Sequence, residues 1–200
     1  MLVVIDYGMG NIGSIQNMIK KIGGKCLVSG DPETIDKASK LILPGVGSFD
    51  AGMRNLRELG LIDILNKKVV IEKVPILGIC LGMQLLTRSS EEGMEKGLGW
   101  IHADVIKFDS QNLKVPHMGW NVSIPQKQSR LFVKSSREER FYFVHSYYVK
   151  CDQQSDILTS TNYGIEFVSA FENENIFGVQ FHPEKSHLFG MDLLRNFVEL

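Results

Sequence analysis

Cys80 stands between two glycines in Gly78-Ile79-Cys80-Leu81-Gly82, where an apolar run, Pro75–Ile79, meets a helix-like one. This is the nucleophile-elbow pattern with a thiol in place of a hydroxyl. The glycines let a strand turn sharply into a helix without side-chain clashes. The turn sets the sulfur at a helix N-terminus, where free N–H groups favour thiolate over thiol. The backbone N–H of Leu81 then points toward the oxygen of an attacked carbonyl. Cys26 and Cys151 have no such setting and read as small apolar side chains.

A nucleophilic thiol needs a base, and the base needs an orienting group. Of the five histidines, His182 has a carboxylate at a telling spacing, in "FGVQFHPEKS". Phe177, Val179 and Phe181 alternate with Gly178, Gln180 and His182, so the segment reads as extended up to His182. Residues i and i+2 of an extended chain share a side, which places Glu184 beside the imidazole. Pro183 disfavours a helix at His182. A Cys80–His182–Glu184 triad follows. Its third requirement is an oxyanion site. "LPGVGSF" supplies one, because Gly45, Val46 and Gly47 follow a strand and can pair an N–H with that of Leu81. From the triad alone, a hydrolase of peptides or thioesters remains open.

A second glycine cluster points elsewhere. Gly8, Gly10 and Gly13 have G-x-G-x-x-G spacing after an apolar run, and Asp31 lies further along. That pattern fits a dinucleotide-binding loop.

The elements that must position these groups alternate through the first 90 residues. Strands are expected at Leu2–Asp6, Lys25–Val28, Lys40–Leu43 (cut by Pro44-Gly45) and Pro75–Ile79. Helices are expected around Ile15, Met18, Ile19 and Ile22, around Met53, Leu56 and Leu59, up to Lys73, and over "LGMQLLTRSS". Such alternation predicts an α/β fold, with a mainly parallel central sheet flanked by helices. The second half reads as strands at Ala103–Phe108, Phe141–Val149, Ile165–Phe171 and Ile176–Phe181, with antiparallel pairing, and a last helix over Gly190–Leu200. "KSSREER" (134–140) reads as a solvated turn.

The 200 residues favour one domain, 1–200. Net charge is −1, so no basic field draws nucleic acid or an anionic membrane. No apolar run approaches a spanning length, and Asp6 interrupts the N-terminal one. Three widely spaced cysteines suggest neither a metal site nor disulfides, and a cytoplasmic setting is expected.

In order, "LPGVGSF", "GICLGMQLL", "KVPHMGWN", "YFVHSYY" and "FGVQFHPEKS" resemble the class I (triad) glutamine amidotransferases. Within them, the resemblance is to glutaminase subunits of imidazole glycerol phosphate synthases, and it spans essentially the whole chain. It implies a flavodoxin-like fold, no cofactor and no metal. It implies that L-glutamine is hydrolysed through a glutamyl thioester on Cys80, with Gln84, His145, Ser146 and Tyr147 holding the substrate. It also implies a heterodimer with a (β/α)8-barrel synthase (cyclase) subunit. That subunit uses the ammonia to make imidazole glycerol phosphate and aminoimidazole carboxamide ribotide in histidine biosynthesis. Gly10, Asn11, Met118, Trp120 and Asn121 match the partner-facing loops. The chain has Ile101-His102-Ala103 where the family often has Ile-Pro-Gly, and His187 where Gly or Gln is usual. Related subunits feed sugar amidination for surface polysaccharides with the same catalytic residues.

Overall fold

The computed structural model describes residues 1–133 and 138–200. Residues 134–137 of the expected charged turn lie outside them. In chain order the elements are β1 (Leu2–Ile5), α1 (Ile12–Lys21), β2 (Cys26–Ser29), α2 (Pro32–Asp36), β3 (Lys40–Gly45), α3 (Phe49–Glu58), α4 (Leu61–Asn66), β4 (Ile76–Cys80), α5 (Leu81–Leu85) and β5 (Ser89–Ser90). They continue as β6 (Ala103–Lys107), β7 (His117–Val122), β8 (Ile124–Pro125), β9 (Arg140–His145), β10 (Tyr147–Cys151), β11 (Ile157–Tyr163), β12 (Ile165–Asn173), β13 (Ile176–Val179) and α6 (His187–Glu199).

The central sheet runs β2-β1-β3-β4-β13-β12-β10-β6-β5, with β11 paired to β12 and β8 to β11. β2, β1, β3, β4 and β13 run parallel to one another, whereas β12 is antiparallel to β13 and to β10, and β10 is antiparallel to β6. Strands buried on both faces need apolar residues at every position, and Leu2, Val3, Val4 and Ile5 are all buried. Val3 and Ile5 pack on one face with Phe49, Met53, Leu56 and Leu81. Leu2 and Val4 pack on the other with Ile15, Ile19, Leu194 and Phe197. β7 and β9 form a separate antiparallel ribbon.

Four local expectations are corrected. β3 continues through Pro44 to Gly45, since its pairing with β1 has already ended at Ile42 while that with β4 goes on. The helix after Cys80 stops at Leu85, because the Thr87 hydroxyl and the Leu98 and Trp100 N–H groups take the carbonyls of Gln84, Leu85 and Leu86. "RSS" then enters β5. Phe141–Val149 is two strands in two sheets, handed over at Ser146, whose carbonyl accepts the Phe108 N–H. Met118 and Trp120 lie on β7 rather than on a loop.

Candidate active site

β3 and β4 lie side by side with Gly45 opposite Cys80, so the expected oxyanion segment and the thiol leave the sheet at one edge. Cys80 has φ 55° and ψ −110° and is followed at once by α5. A non-glycine residue in that region costs about 1–3 kcal/mol. A Cβ on Gly82 would sit 1.8 Å from the Leu43 carbonyl oxygen, and one on Gly78 would sit 2.8 Å from Gly82. The spacing G-x-C-x-G is thus a packing requirement of the elbow.

The His182 N–H donates to the Tyr142 carbonyl (2.9 Å), and its own carbonyl accepts from the Ser186 hydroxyl (2.6 Å). With the ring so seated, Nδ1 lies 2.8 Å from Glu184 Oε1, both side chains only 2% exposed. The route differs from the extended one expected. Strand pairing ends at Val179, and Pro183 opens a 3₁₀ turn, Pro183–Lys185, that brings Glu184 round. His182 Nε2 and Glu184 Oε2 are buried without a hydrogen-bond partner. Burial opposes a charged ring, but the nearby Cys80 and the hydrogen-bonded Glu184 carboxylate outweigh it and push His182 up to about 10. With Nδ1 held by Glu184, Nε2 is the nitrogen left for the thiol.

A cleft of about 370 Å3 opens over the elbow. Val46, Gly47, Cys80, Leu81, Gln84, His145, Ser146, Tyr147 and His182 line it, while Gly45 and Glu184 lie behind that wall. Gln84 Nε2 donates to Gln180 Oε1 (3.0 Å) and to the Tyr147 carbonyl (3.3 Å). Gln180 Nε2 in turn approaches Cys80 Sγ at 3.8 Å. His145 Nδ1 lies 2.7 Å from the Tyr147 carbonyl, which only accepts, so Nδ1 carries the proton. His145 Nε2 then accepts from His117 Nδ1 (2.9 Å), and His117 Nε2 accepts from the Asn121 amide (3.2 Å). One tautomer satisfies the whole chain with both rings neutral. Burial pushes His145 down to about 3 and His117 down to about 4.

Spacing missed several residues here. Gln180 had a signal, since it alternates in step with His182. Glu92 had none. It comes from a charged loop, lines the cleft, and accepts the Phe49 N–H through Oε2 at 2.8 Å.

None of the five residues expected at a partner lines the cleft. Gly10 has φ 108°, and Asn11 precedes α1 with no side-chain capping bond. Met118 and Trp120 point outward from β7, 61% and 47% exposed, and Trp120 stacks on His187 with ring centroids 5.4 Å apart. Asn121 has its amide committed inward, to His117 and to the Asn162 carbonyl. The dinucleotide reading finds no support in this geometry. Gly13 lies within α1 with nothing near a would-be Cβ, so close helix–strand packing does not explain it. The Asp31 carboxylate is spent capping α2 at Thr34.

The family model described as "Glutamine amidotransferase class-I" matches residues 3–200. The chain is 63% identical over 203 residues to "Imidazole glycerol phosphate synthase subunit HisH 2" of Methanococcus maripaludis, covering 100% of this chain and 99% of that one. It is 54% identical to the protein of the same name from Pseudomonas aeruginosa, covering 100% of both. It is 46% identical to "Imidazole glycerol phosphate synthase subunit HisH" of Bdellovibrio bacteriovorus, again over the whole of both. Among solved structures it is similar to one described as "Crystal structure of glutamine amidotransferase", with TM-score 0.77 and 18% identity over 98% of this chain and 97% of that one. "Structure of PurLQS from Thermotoga maritima" matches with TM-score 0.74 and 18% identity over 99% and 97%.

Proposed function

The chain belongs to the class I glutamine amidotransferases, and from that premise we propose that it is the glutaminase subunit of an imidazole glycerol phosphate synthase. The observation that carries the reading is the convergence of Cys80, His182, Gln84 and the Val46–Gly47 and Leu81 backbone on one cleft. The relatives' names favour this reading over sugar amidination.

In this reading the side-chain amide of L-glutamine lies over the elbow. Glu92, an anionic group on the cleft wall, faces its α-ammonium. The Cys80 sulfur attacks the amide carbon, and the negative oxygen is met by N–H groups of Leu81 and of the Gly45–Gly47 segment. His182 gives its Nε2 proton to the amide nitrogen, ammonia leaves, and a thioester remains. Water, deprotonated by His182, cleaves the thioester to glutamate and frees the thiol. Glu184 holds the imidazole and balances its charge.

The ammonia is consumed by a barrel-shaped synthase subunit docked against Gly10, Asn11, Met118 and Trp120. Coupling to that partner avoids wasteful hydrolysis. Glutamate release by the purified chain, with and without the barrel subunit and its ligand, tests the reading. Hydrolysis should rise strongly in the complex, and a glutamine-analogue affinity reagent should label Cys80. A complex that releases no glutamate, or a chain whose full activity ignores the barrel, would overturn it.

A further inference from the structure

Tyr7 sits in the glycine loop after β1, is not among the residues assigned to the reaction, and reaches the oxyanion segment. Its hydroxyl donates to the Pro44 carbonyl at 2.7 Å, and its side chain is 1% exposed. The Tyr7 carbonyl accepts from Asn55 Nδ2 of α3 at 3.0 Å, so the residue is held at both ends. Gly45 fits only because it lacks a side chain. A Cβ there would lie 2.7 Å from the Tyr7 hydroxyl and 2.8 Å from the Gly82 nitrogen. Burial, with the nearby Cys80, holds the phenol well above its ordinary value, so it remains a donor at working pH.

We propose that Tyr7 is a positioning residue for the oxyanion hole: by holding the Pro44 carbonyl, its hydroxyl fixes the peptide from which the Gly45–Gly47 N–H groups are presented. The inference rests on the glutaminase reading. Pro44 C=O and Gly45 N–H belong to one rigid peptide plane. Beyond Gly45 the ladder with β4 ends and the segment is exposed, and Gly47 adopts φ 116°. The Tyr7 bond is therefore the side-chain tether at the root of a segment that must aim a donor to within a fraction of an ångström. Gly10 lies against the same peptide, since a Cβ there would come within 3.0 Å of Pro44 Cβ and 3.3 Å of the Gly45 nitrogen. The loop that carries Tyr7 is thus mechanically joined to the oxyanion segment at two points.

The test compares Tyr7→Phe with the unaltered chain, each in complex with the barrel subunit. Two rates are read: glutamine hydrolysis, and alkylation of Cys80 by iodoacetamide. Alkylation is a displacement at saturated carbon and builds no oxyanion. Tyr7→Phe should lower kcat for glutamine by about 10- to 100-fold with little change in KM, because the donor acts in the transition state. Alkylation should stay within about twofold of the unaltered rate. Should Tyr7→Phe fail to fold, Asn55→Ala releases the other end of the tether. It should lower kcat in the same sense by threefold or more, with alkylation unchanged. An unaffected kcat, or a parallel fall in both rates, would overturn the assignment. An unaltered complex inactive on glutamine would instead overturn the functional reading, and this inference with it.

Discussion

Cys80 is bound by two constraints, a chemical one and a conformational one, and substitutions separate them. Cys80→Ala should lower glutamine hydrolysis at least about 1,000-fold while the fold persists. Cys80→Gly should be equally inactive and about 1 kcal/mol more stable than Cys80→Ala, because glycine tolerates φ 55°. Urea denaturation of both variants reads the difference. Cys80→Ala also removes one of the two groups that raise His182. Its folded value should fall from about 10, as followed by NMR of the ring. A raised His stabilises the fold fully below its unfolded value of about 6.5, and that contribution is lost as pH rises toward 10. The variant should therefore show less alkaline loss of stability between those limits. The elbow at Cys80 and the His182–Glu184 contact were legible in the sequence because each carries its own local signature: flanking glycines for Cys80, and the i, i+2 spacing across Pro183 for His182 and Glu184. Glu92 and Tyr7 were not. Their roles depend on partners 43 and 37 positions away in the chain.

At the scale of elements, sequence reading succeeded where burial is uniform and failed where it is not. β1, β3 and β4 are continuous apolar runs, and helices follow each of them. β7 escaped because His117, Gly119 and Asn121 face inward between the exposed Met118 and Trp120, an inverted pattern for a strand. Hydrogen bonding explains the inversion. His117 is stacked between Phe143 and Tyr163 and bonded to His145, so burial is tolerated as long as both rings stay neutral. Nitrogen-15 shifts at pH 5.5 should show both imidazoles uncharged with the proton on Nδ1. The sign here is opposite to that of His182. Stability from these two rings is complete above about 6.5 and is lost as pH falls through about 4 toward 3. His117→Gln, which cannot titrate, should flatten the acid side of the stability profile.

Across the whole molecule, the parallel half delivers Cys80 and the oxyanion segment to one edge, and the antiparallel half and its ribbon wall in the cleft. The mixed topology was legible as a change of character near the middle of the chain. The split of Phe141–Val149 between two sheets was not, because pairing partners leave no local trace. The outer face of that ribbon presents Met118 and Trp120. Trp120→Ala should weaken binding of the barrel subunit by about 10-fold or more and leave the thermal midpoint of the isolated chain nearly unchanged, as read by titration calorimetry and melting. No helix among the described residues is long and apolar enough to cross a membrane. The loop holding Glu92 is clasped to α3 in both directions. Asp50 of the helix accepts from the Met94 and Glu95 N–H groups, and Glu92 accepts from Phe49 at the helix start, where Ser48 offers no cap. In the proposed reading that one carboxylate serves both the start of α3 and the ligand cleft. A lineage drifting toward another amino-acid substrate at this position would first lose its hold on α3, so selection for a new specificity has to pass through a less stable ancestor or recap the helix beforehand.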